Sequence, residues 1–483
     1  MPRKEKNLPL PCPMSSEPHL FTFKESGQKE HETHDLPLLL QAIGKLNASL
    51  KSGDVLWVAL TGHQRTYREQ PPEIIRYTGM HAPNLPNQDH SASRAIFHVS
   101  HFIGNYTLAL GQEVVKLEIQ PRWGYAILGY LLQYTTGIYQ PPDANAAVGA
   151  QQDGAGWMLA MLWKSHFNQA LRTYHLPKEY RERRTNDHFF RGRLDVARQT
   201  RENCIDHSRF ACVDSPLTLD TTIGRTLRYV IGLLSKPGAY PEIMRDLSGF
   251  NERLAAFGVK DSAIKISEID AIRYTRMSAG YRPLMRMSKA IIHRFGGGGS
   301  NTIGQLPSYF IDMAELWENY LLAVLRRHLP AEYRVFSPNE QGGDWLFVGN
   351  KRQIRPDLLI EKDGLIVAVL DAKFKSVTEI GSYEKGGVRR EDLYQMGTYL
   401  YHYSHANNPI LGLFVTPVAD TISANVETLN RHSLHRLGVV TFDISRWEEK
   451  ENAGESTAFC IRNAEEDFSR AVELELESTL RRE

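Results

Sequence analysis

The sequence predicts an α/β protein whose C-terminal part is a mixed sheet flanked by helices, preceded by an α+β region. Three observations carry this expectation. The stretch IRPDLLIEKDGLIVAVLDAKFK (354–375) reads as two apolar strands about an Asp-Gly turn, a strong hairpin signal because both turn positions tolerate positive φ. Around it, helical periodicity at 310–328, 391–404 and 463–482 alternates with strand-like runs at 410–416 and 438–443. Upstream, the alternating strand EVVKLEIQ (113–120) and the amphipathic stretch 157–174 mix both element types.

The chain has 483 residues, enough for two or three domains. Its hydrophobic content of 42%, charged content of 23% and net charge of +1 are those of an ordinary globular protein, so nucleic-acid contact must rest on local patches. No apolar run approaches the roughly 20 residues of a membrane span, and the basic start lacks the apolar core of a secretory signal. Cys12, Cys204, Cys212 and Cys460 are scattered without a CxxC pair, which fits a reducing, cytoplasmic setting. Cys204, His207 and Cys212 lie close in sequence, with His188 as the nearest further ligand. Buried thiols beside a surface histidine are the better account of them.

Taken in order, residues 1–35 are polar and aperiodic and are expected to form a mobile tail. A short helix is expected over 37–50 and a strand over 54–61, followed by a proline-rich loop region to 94. Val115, Leu117 and Ile119 share one face of the strand that Pro121 ends. Apolar helices are expected at 125–134 and 157–174; on the second, the aromatic stripe and His166 read as core. The segment 178–209 is rich in arginine but interleaved with acids, so phosphate or partner contact competes with internal salt bridging. Helices follow near 223–234, 240–257 and 284–295. The GGGGS run at 296–300 has linker composition and lacks the lysine of a phosphate-binding loop. Residues after it are expected to fold alone. Asp312 is placed to cap the 310–328 helix, with Glu315 three residues on.

The chemistry concentrates at the hairpin. With Asp363-Gly364 as the turn, Lys362 faces Leu365 and Asp357 falls opposite Leu370, one position along the ladder from Asp371. Asp371 and Lys373 are two apart and project from one face. Two carboxylates and the Ala372 carbonyl offer hard oxygen ligands for Mg²⁺, and Lys373 can offset charge developing on a phosphate. A bare D…DxK also suits a solvated surface hairpin. Here, however, the pair ends an almost unbroken apolar strand, where idle charges are costly.

These residues resemble the PD-(D/E)XK nuclease superfamily, with Pro356-Asp357 and Asp371-Ala372-Lys373 as the two halves of its signature. The resemblance implies a helix acid, best matched by Glu318 and next by Glu315, and a Q-x-x-x-Y helix, matched by Gln395 and Tyr399. FIDMAELWENYL, RPDLLI, LDAKFK and DLYQMGTYLYHY, with VVKLEIQPRWGYAILGYLLQY and RGRLDVARQ upstream, are similar to the McrC-like nuclease subunits of 5-methylcytosine-specific restriction systems. That likeness spans roughly 97–442; residues 1–95 depart from the pattern.

The resemblance implies a Mg²⁺-dependent DNA endonuclease (with Mn²⁺ as a substitute) whose metal ligands are Asp357, Asp371, Ala372 and Glu318. It also implies a McrB-like AAA+ GTPase partner. The expected layout is a tail (1–35), a partner-engaging α+β region (36–295), a linker (296–305) and the endonuclease domain (306–483). Two other readings stand beside it: a motor-free PD-(D/E)XK nuclease of repair or mobile-element processing, and an adaptor with a vestigial nuclease fold. A neighbouring gene for an AAA+ GTPase, if found, would favour the restriction reading over the first, and intact Asp357, Asp371 and Lys373 speak against the second.

Overall fold

The computed structural model describes residues 19–25, 28–32, 35–52, 56–58, 72–81, 94–111, 113–135, 154–236, 240–296, 308–338, 344–349, 351–374, 388–404, 408–418, 424–429, 432–444 and 457–481. The chain forms two compact units, one from residues 1–143 with 302–483 and the other from 144–301. This corrects the expected layout, in which one linker divides the protein into two consecutive halves. The glycine run itself, from 297 on, lies outside the described residues.

The chain begins with β1 (His19–Lys24), β2 (Gln28–Glu32), α1 (Leu36–Ser52), β3 (Leu56–Val58), β4 (Ile75–His81), β5 (Arg94–Val99), β6 (Phe102–Leu110), β7 (Glu113–Gln120) and α2 (Gly124–Thr135). The second unit follows, with α3 (Gly154–Thr173), β8 (Glu179–Tyr180), β9 (Arg183–Asp187), β10 (Arg193–Leu194), α4 (Val196–Glu202), β11 (Phe210–Asp214) and β12 (Leu217–Thr218). It is completed by α5 (Thr222–Leu234), α6 (Pro241–Met244), α7 (Ser248–Ala256), α8 (Ile266–Asp270) and α9 (Arg282–Phe295). The chain then returns to the first unit through β13 (Tyr309–Asp312), α10 (Met313–His328), β14 (Arg334–Phe336), β15 (Asp344–Phe347), β16 (Lys351–Ile354), β17 (Leu358–Lys362) and β18 (Leu365–Ala372). It ends with α11 (Arg390–Tyr403), β19 (Leu411–Val418), β20 (Ala424–Leu429), β21 (His432–Asp443) and α12 (Thr457–Leu480). Among the described residues no helix is long and apolar enough to cross a membrane.

In the first unit, a five-stranded sheet in the order β1-β7-β6-β13-β3 joins the two separated stretches of chain. Strand β13 is antiparallel to β6 and parallel to β3, so Tyr309–Asp312 belongs to a sheet whose other strands all precede residue 121. The expectation that the helix starts at 310 and that residues after the linker fold alone is therefore corrected. Phe310 and Ile311 are buried strand residues, and a fragment beginning after the linker would leave β13 without its ladders. The expected tail is corrected too: HLFTFK alternates, burying Phe21 and Phe23, and pairs parallel with β7. Its neighbour β2 pairs with β5, and β4 falls inside the expected loop region. Residues 1–18 lie outside the described residues. Phe21, Phe23, Leu39, Leu46, Phe97, Val115, Leu117 and Ile119 form one core between these strands and α1.

A second sheet in the first unit runs β14-β17-β18-β19-β21-β20, with β18, β19 and β21 parallel and the other pairings antiparallel. This is the expected mixed sheet. Helices α10 and α12 pack through Trp317, Tyr320, Phe442 and Phe468, while α11 packs through Met396, Tyr399 and Leu400. A buried carboxylate ties the pieces: Glu465 of α12 accepts from Tyr130 of α2 at 2.7 Å and from Tyr320 of α10 at 2.8 Å.

The second unit centres on α3, α5 and α9, with Trp163 stacked on Phe167 and its ring N–H donating to buried Ser288 at 2.8 Å. Asp220 is its polar hub. It accepts from Arg225 Nε at 2.6 Å, from the Lys260 amide at 3.0 Å and from Arg181 at 3.1 Å.

Two outcomes test this packing. Gly104 has φ +151°, and a Cβ there would meet the Tyr309 carbonyl oxygen at 2.1 Å. Gly104→Ala should therefore loosen β13 from β6 and cost about 2 kcal/mol or more in denaturant unfolding. The Arg225 guanidinium holds the Asp220 carboxyl down to about 2. Because the folded value is depressed, the stabilisation is complete above the ordinary aspartate value of about 4 and is lost as pH falls towards about 2. Asp220→Asn should flatten that acid limb when stability is followed against pH.

Candidate active site

The Asp-Gly turn forms as expected, with Asp363 at φ 52° and Gly364 at φ 80°. Lys362 pairs with Leu365 and Glu361 with Ile366, but Ile360 then pairs with Ala368, so Val367 is an extra residue. This bulge corrects the expected register: Leu358, not Asp357, lies opposite Leu370. Continued by one step, the ladder sets Asp357 abreast of Asp371. Directly opposed residues share a face, and a slip of one would have put the two acids on opposite faces. The Ala372 amide donates to Asp357 Oδ2 at 2.8 Å and fixes that carboxyl across the hairpin.

Strand β18 is buried from Val367 to Ala372, and Asp371 is only 6% exposed. The Lys373 amide donates to the Val415 carbonyl at 2.8 Å, which prolongs the ladder with β19 and keeps Lys373 on the Asp371 face. Lys373 Nζ sits 2.7 Å from Asp371 Oδ2 and 2.8 Å from Asp392 Oδ1. Burial alone would lower its pKa, but the two carboxylates outweigh it and hold the ammonium more firmly charged.

Helix α10 begins at Met313, and Asp312 caps it by accepting from the amides of Ala314 at 2.9 Å and Glu315 at 3.1 Å. Glu318, one turn further on, acts on the site. Burial first, then the charges of Glu318 and Asp371, push the Asp357 carboxyl well above the usual carboxylate range. Glu315, which is 8% exposed, does not figure among the causes of that shift.

Helix α11 supplies the rest. Gln395 donates to the Tyr399 hydroxyl at 2.6 Å, and Tyr399 donates to the Arg355 carbonyl at 3.2 Å, two residues before Asp357. Burial, with the charges of Asp371 and Asp357 adding to it, raises the Tyr399 phenol against the opposing effects of Gln395 and Lys373. The structure thus gathers Asp357, Asp371, Lys373, Glu318, Gln395 and Tyr399 at one end of the sheet.

Sequence reasoning missed Asp392, whose signal is its place one turn before Gln395 on the same helix. It also missed Arg122, which follows β7. Its guanidinium donates to the Phe374 carbonyl at 2.5 Å, lies 4.2 Å from the Trp123 ring centroid, and pairs with buried Glu25 at 3.4 Å. The strand that ends in Asp371 and Lys373 is therefore gripped by the N-terminal stretch.

Carboxylate oxygens are hard ligands of the kind a divalent cation takes, and burial, then the charges of Glu318 and Asp371, keep Asp357 protonated more readily than usual. Among the described residues no group of three or more His, Cys, Asp or Glu is already drawn to metal-ligating separation. The ligands expected from the sequence remain Asp357, Asp371, the Ala372 carbonyl and Glu318. The other sequence candidates behave blandly. Cys212 is buried as expected, whereas Cys204 is exposed, which corrects the expectation of buried thiols. The arginines of 178–209 pair largely within their unit, as in Arg183–Asp214, Arg198–Glu202 and Arg209–Asp206.

Glu318→Gln should bring the Asp357 pKa down, because it removes a neighbouring negative charge, whereas Glu315→Gln should leave it in place. Carboxyl-carbon NMR titration reads both.

Residues 99–413 match the family model described as McrBC 5-methylcytosine restriction system component. No curated protein matches the chain. Two solved structures from Thermococcus gammatolerans resemble it. One is a refined half-complex from a tetradecameric assembly of McrB AAA+ hexamers with bound McrC, at 18% identity and a TM-score of 0.49 over 92% of this chain and 99% of that chain. The other is the McrBC complex, at 17% identity and a TM-score of 0.31 over 64% of this chain and 88% of that chain.

Proposed function

This chain belongs to the McrBC 5-methylcytosine restriction system component family, and from that premise we propose that it is the metal-dependent DNA endonuclease subunit of such a system. The observation that carries the reading is the pairing of Asp357 with Asp371 and of Asp371 with Lys373 at the end of the buried strand β18, where the charge of Glu318 also acts on Asp357. Charges placed there are expensive unless they do chemistry.

Asp357, Asp371, Glu318 and the Ala372 carbonyl would hold Mg²⁺, or Mn²⁺ in its place. The cation supplies charge for polarising a phosphodiester and for activating water. The chain's own groups do the positioning. The Ala372 amide orients Asp357, and the Gln395–Tyr399 pair steadies the backbone that leads into it. Lys373, braced by Asp371 and Asp392, presents an ammonium that hydrogen-bonds a phosphate oxygen and offsets the charge growing there.

The sequence carries no GxxxxGK[ST], so the nucleotide-driven step belongs to a partner, read here as a McrB-like AAA+ GTPase. The partner-engaging surface is assigned to the second unit. There Tyr180, Phe189, Phe190, Val196 and Ile205, all within the stretch 180–205, stand more than half exposed.

Asp371→Ala and Lys373→Ala should each lower DNA cleavage by about 10²-fold or more while leaving partner assembly intact. The assay is plasmid cleavage with the GTPase, GTP and Mg²⁺, and cleavage undiminished in Asp371→Ala would remove the metal site from this account. Phe189→Ser with Phe190→Ser should instead reduce stimulation of GTP turnover. Strong cleavage by the wild-type chain without any partner would favour a motor-free nuclease.

A further inference from the structure

The two-stranded ribbon β15–β16 belongs to neither large sheet. It is inserted between β14 and β17, which are antiparallel with Phe336 opposite Leu359. The chain therefore leaves β14 and re-enters β17 at the same end of the sheet, the end that carries Asp357. The root of the ribbon is fixed to that site. Tyr399 holds the Arg355 carbonyl, and His402, on the same helix, lies 3.6 Å from Asp344.

Its two faces differ. Asp344 pairs with Ile354, Trp345 with Gln353, and Phe347 with Lys351. Leu346 and Ile354 thus share the inner face, and both join the apolar cluster beneath. Trp345, Phe347, Lys351 and Gln353 share the outer face, where Trp345 is 39% and Phe347 56% exposed. Val348 at the tip is fully exposed. Lys351, Arg352 and Arg355 are exposed, and Lys351 and Arg352 make no ion pair among the described residues. Arg352 adopts φ 60°, which breaks the pleat where a regular strand would turn it towards the core.

We infer that the outer face and tip of the β15–β16 ribbon bind duplex DNA, with Lys351, Arg352 and Arg355 meeting phosphates and Trp345 and Phe347 lying against the groove wall. Three features of the ribbon favour DNA over a protein surface. It carries three cations against one acid, Asp344, in 344–355. It is also rooted two residues from a proposed catalytic acid, and a two-stranded ribbon is an element that a DNA major groove admits. The role of this patch rests on the nuclease reading above, since a strand delivered to Asp357 and Asp371 must pass the ribbon's base.

The test uses the full chain carrying Asp371→Asn, so that the probe survives, and measures binding of a short fluorescein-labelled duplex by anisotropy across a salt series. Lys351→Glu with Arg352→Glu should weaken binding by roughly tenfold or more and reduce the log–log salt slope by about 2, one for each lost phosphate contact. Phe347→Ala should weaken binding with the slope unchanged. Both substitutions are exposed, and an unchanged melting temperature will confirm folding. Unchanged affinity and slope in the charge-reversed variant overturns the inference. So does loss of partner assembly with DNA affinity intact, which would make the ribbon a protein-docking element. Wild-type cleavage is assayed in parallel. A chain that binds DNA through the ribbon but never cuts overturns the nuclease reading and leaves the ribbon assignment standing. A chain that cuts, paired with a charge-reversed variant of normal affinity, overturns the ribbon assignment alone.

Discussion

The geometry of the candidate site depends on one extra residue in a hairpin. Side chains alternate along a strand, so the number of residues between the turn and each aspartate decides which face it occupies. Without Val367 as a bulge, Asp357 would lie opposite Leu370 and point away from Asp371. With it, the two acids fall abreast, on the face where Lys373 reaches Asp371 along their own strand, and Glu318 acts on Asp357 from α10. The turn at Asp363-Gly364 fixes the start of this count, and the parallel ladder to β19, Ala368 to Leu411 through Ala372 to Val415, holds β18 in place on its other side.

A second dependence runs through the separated stretches of the first unit. Strand β13 completes a sheet whose other strands all precede residue 121, and Asp312 at its end caps the helix that carries Glu318. Arg122 grips the backbone just beyond Lys373 while buried Glu25 grips Arg122. Glu465 collects Tyr130 and Tyr320 from two other helices. The N-terminal stretch is thus structurally part of the body that holds the candidate site, and the second unit is an insertion into it.

Much of this was legible in the sequence where the signal is local. The hairpin followed from Asp-Gly between apolar runs, α10 from its apolar spacing and its Asp312 cap, and β7 from strict alternation of Val115, Leu117 and Ile119. Asp357, Asp371 and Lys373 were legible because they sit at fixed offsets from the hairpin turn, whereas Glu318, Gln395 and Tyr399 were reached only through the family resemblance. The bulge was not, because a regular ladder and a bulged one share the same apolar pattern. Strand β1 was missed because only Phe21 and Phe23 in a polar stretch mark it, and its stability comes from pairing with a strand nearly a hundred residues away. The discontinuous unit was missed for the same reason: contacts such as Gly104 with Tyr309 leave no trace in local periodicity. The cations of 178–209 could be counted but not paired, and pairing decided their role.

The central claim is that the acids at the end of β18 form a divalent-cation site, and anomalous diffraction from crystals of the full chain soaked in Mn²⁺ tests it most directly. The account predicts an anomalous peak between the carboxylates of Asp357 and Asp371, within reach of Glu318. It also predicts loss of that peak in Asp371→Asn. A peak elsewhere on the chain, or none at this cluster under conditions that saturate Mn²⁺ sites, would contradict it.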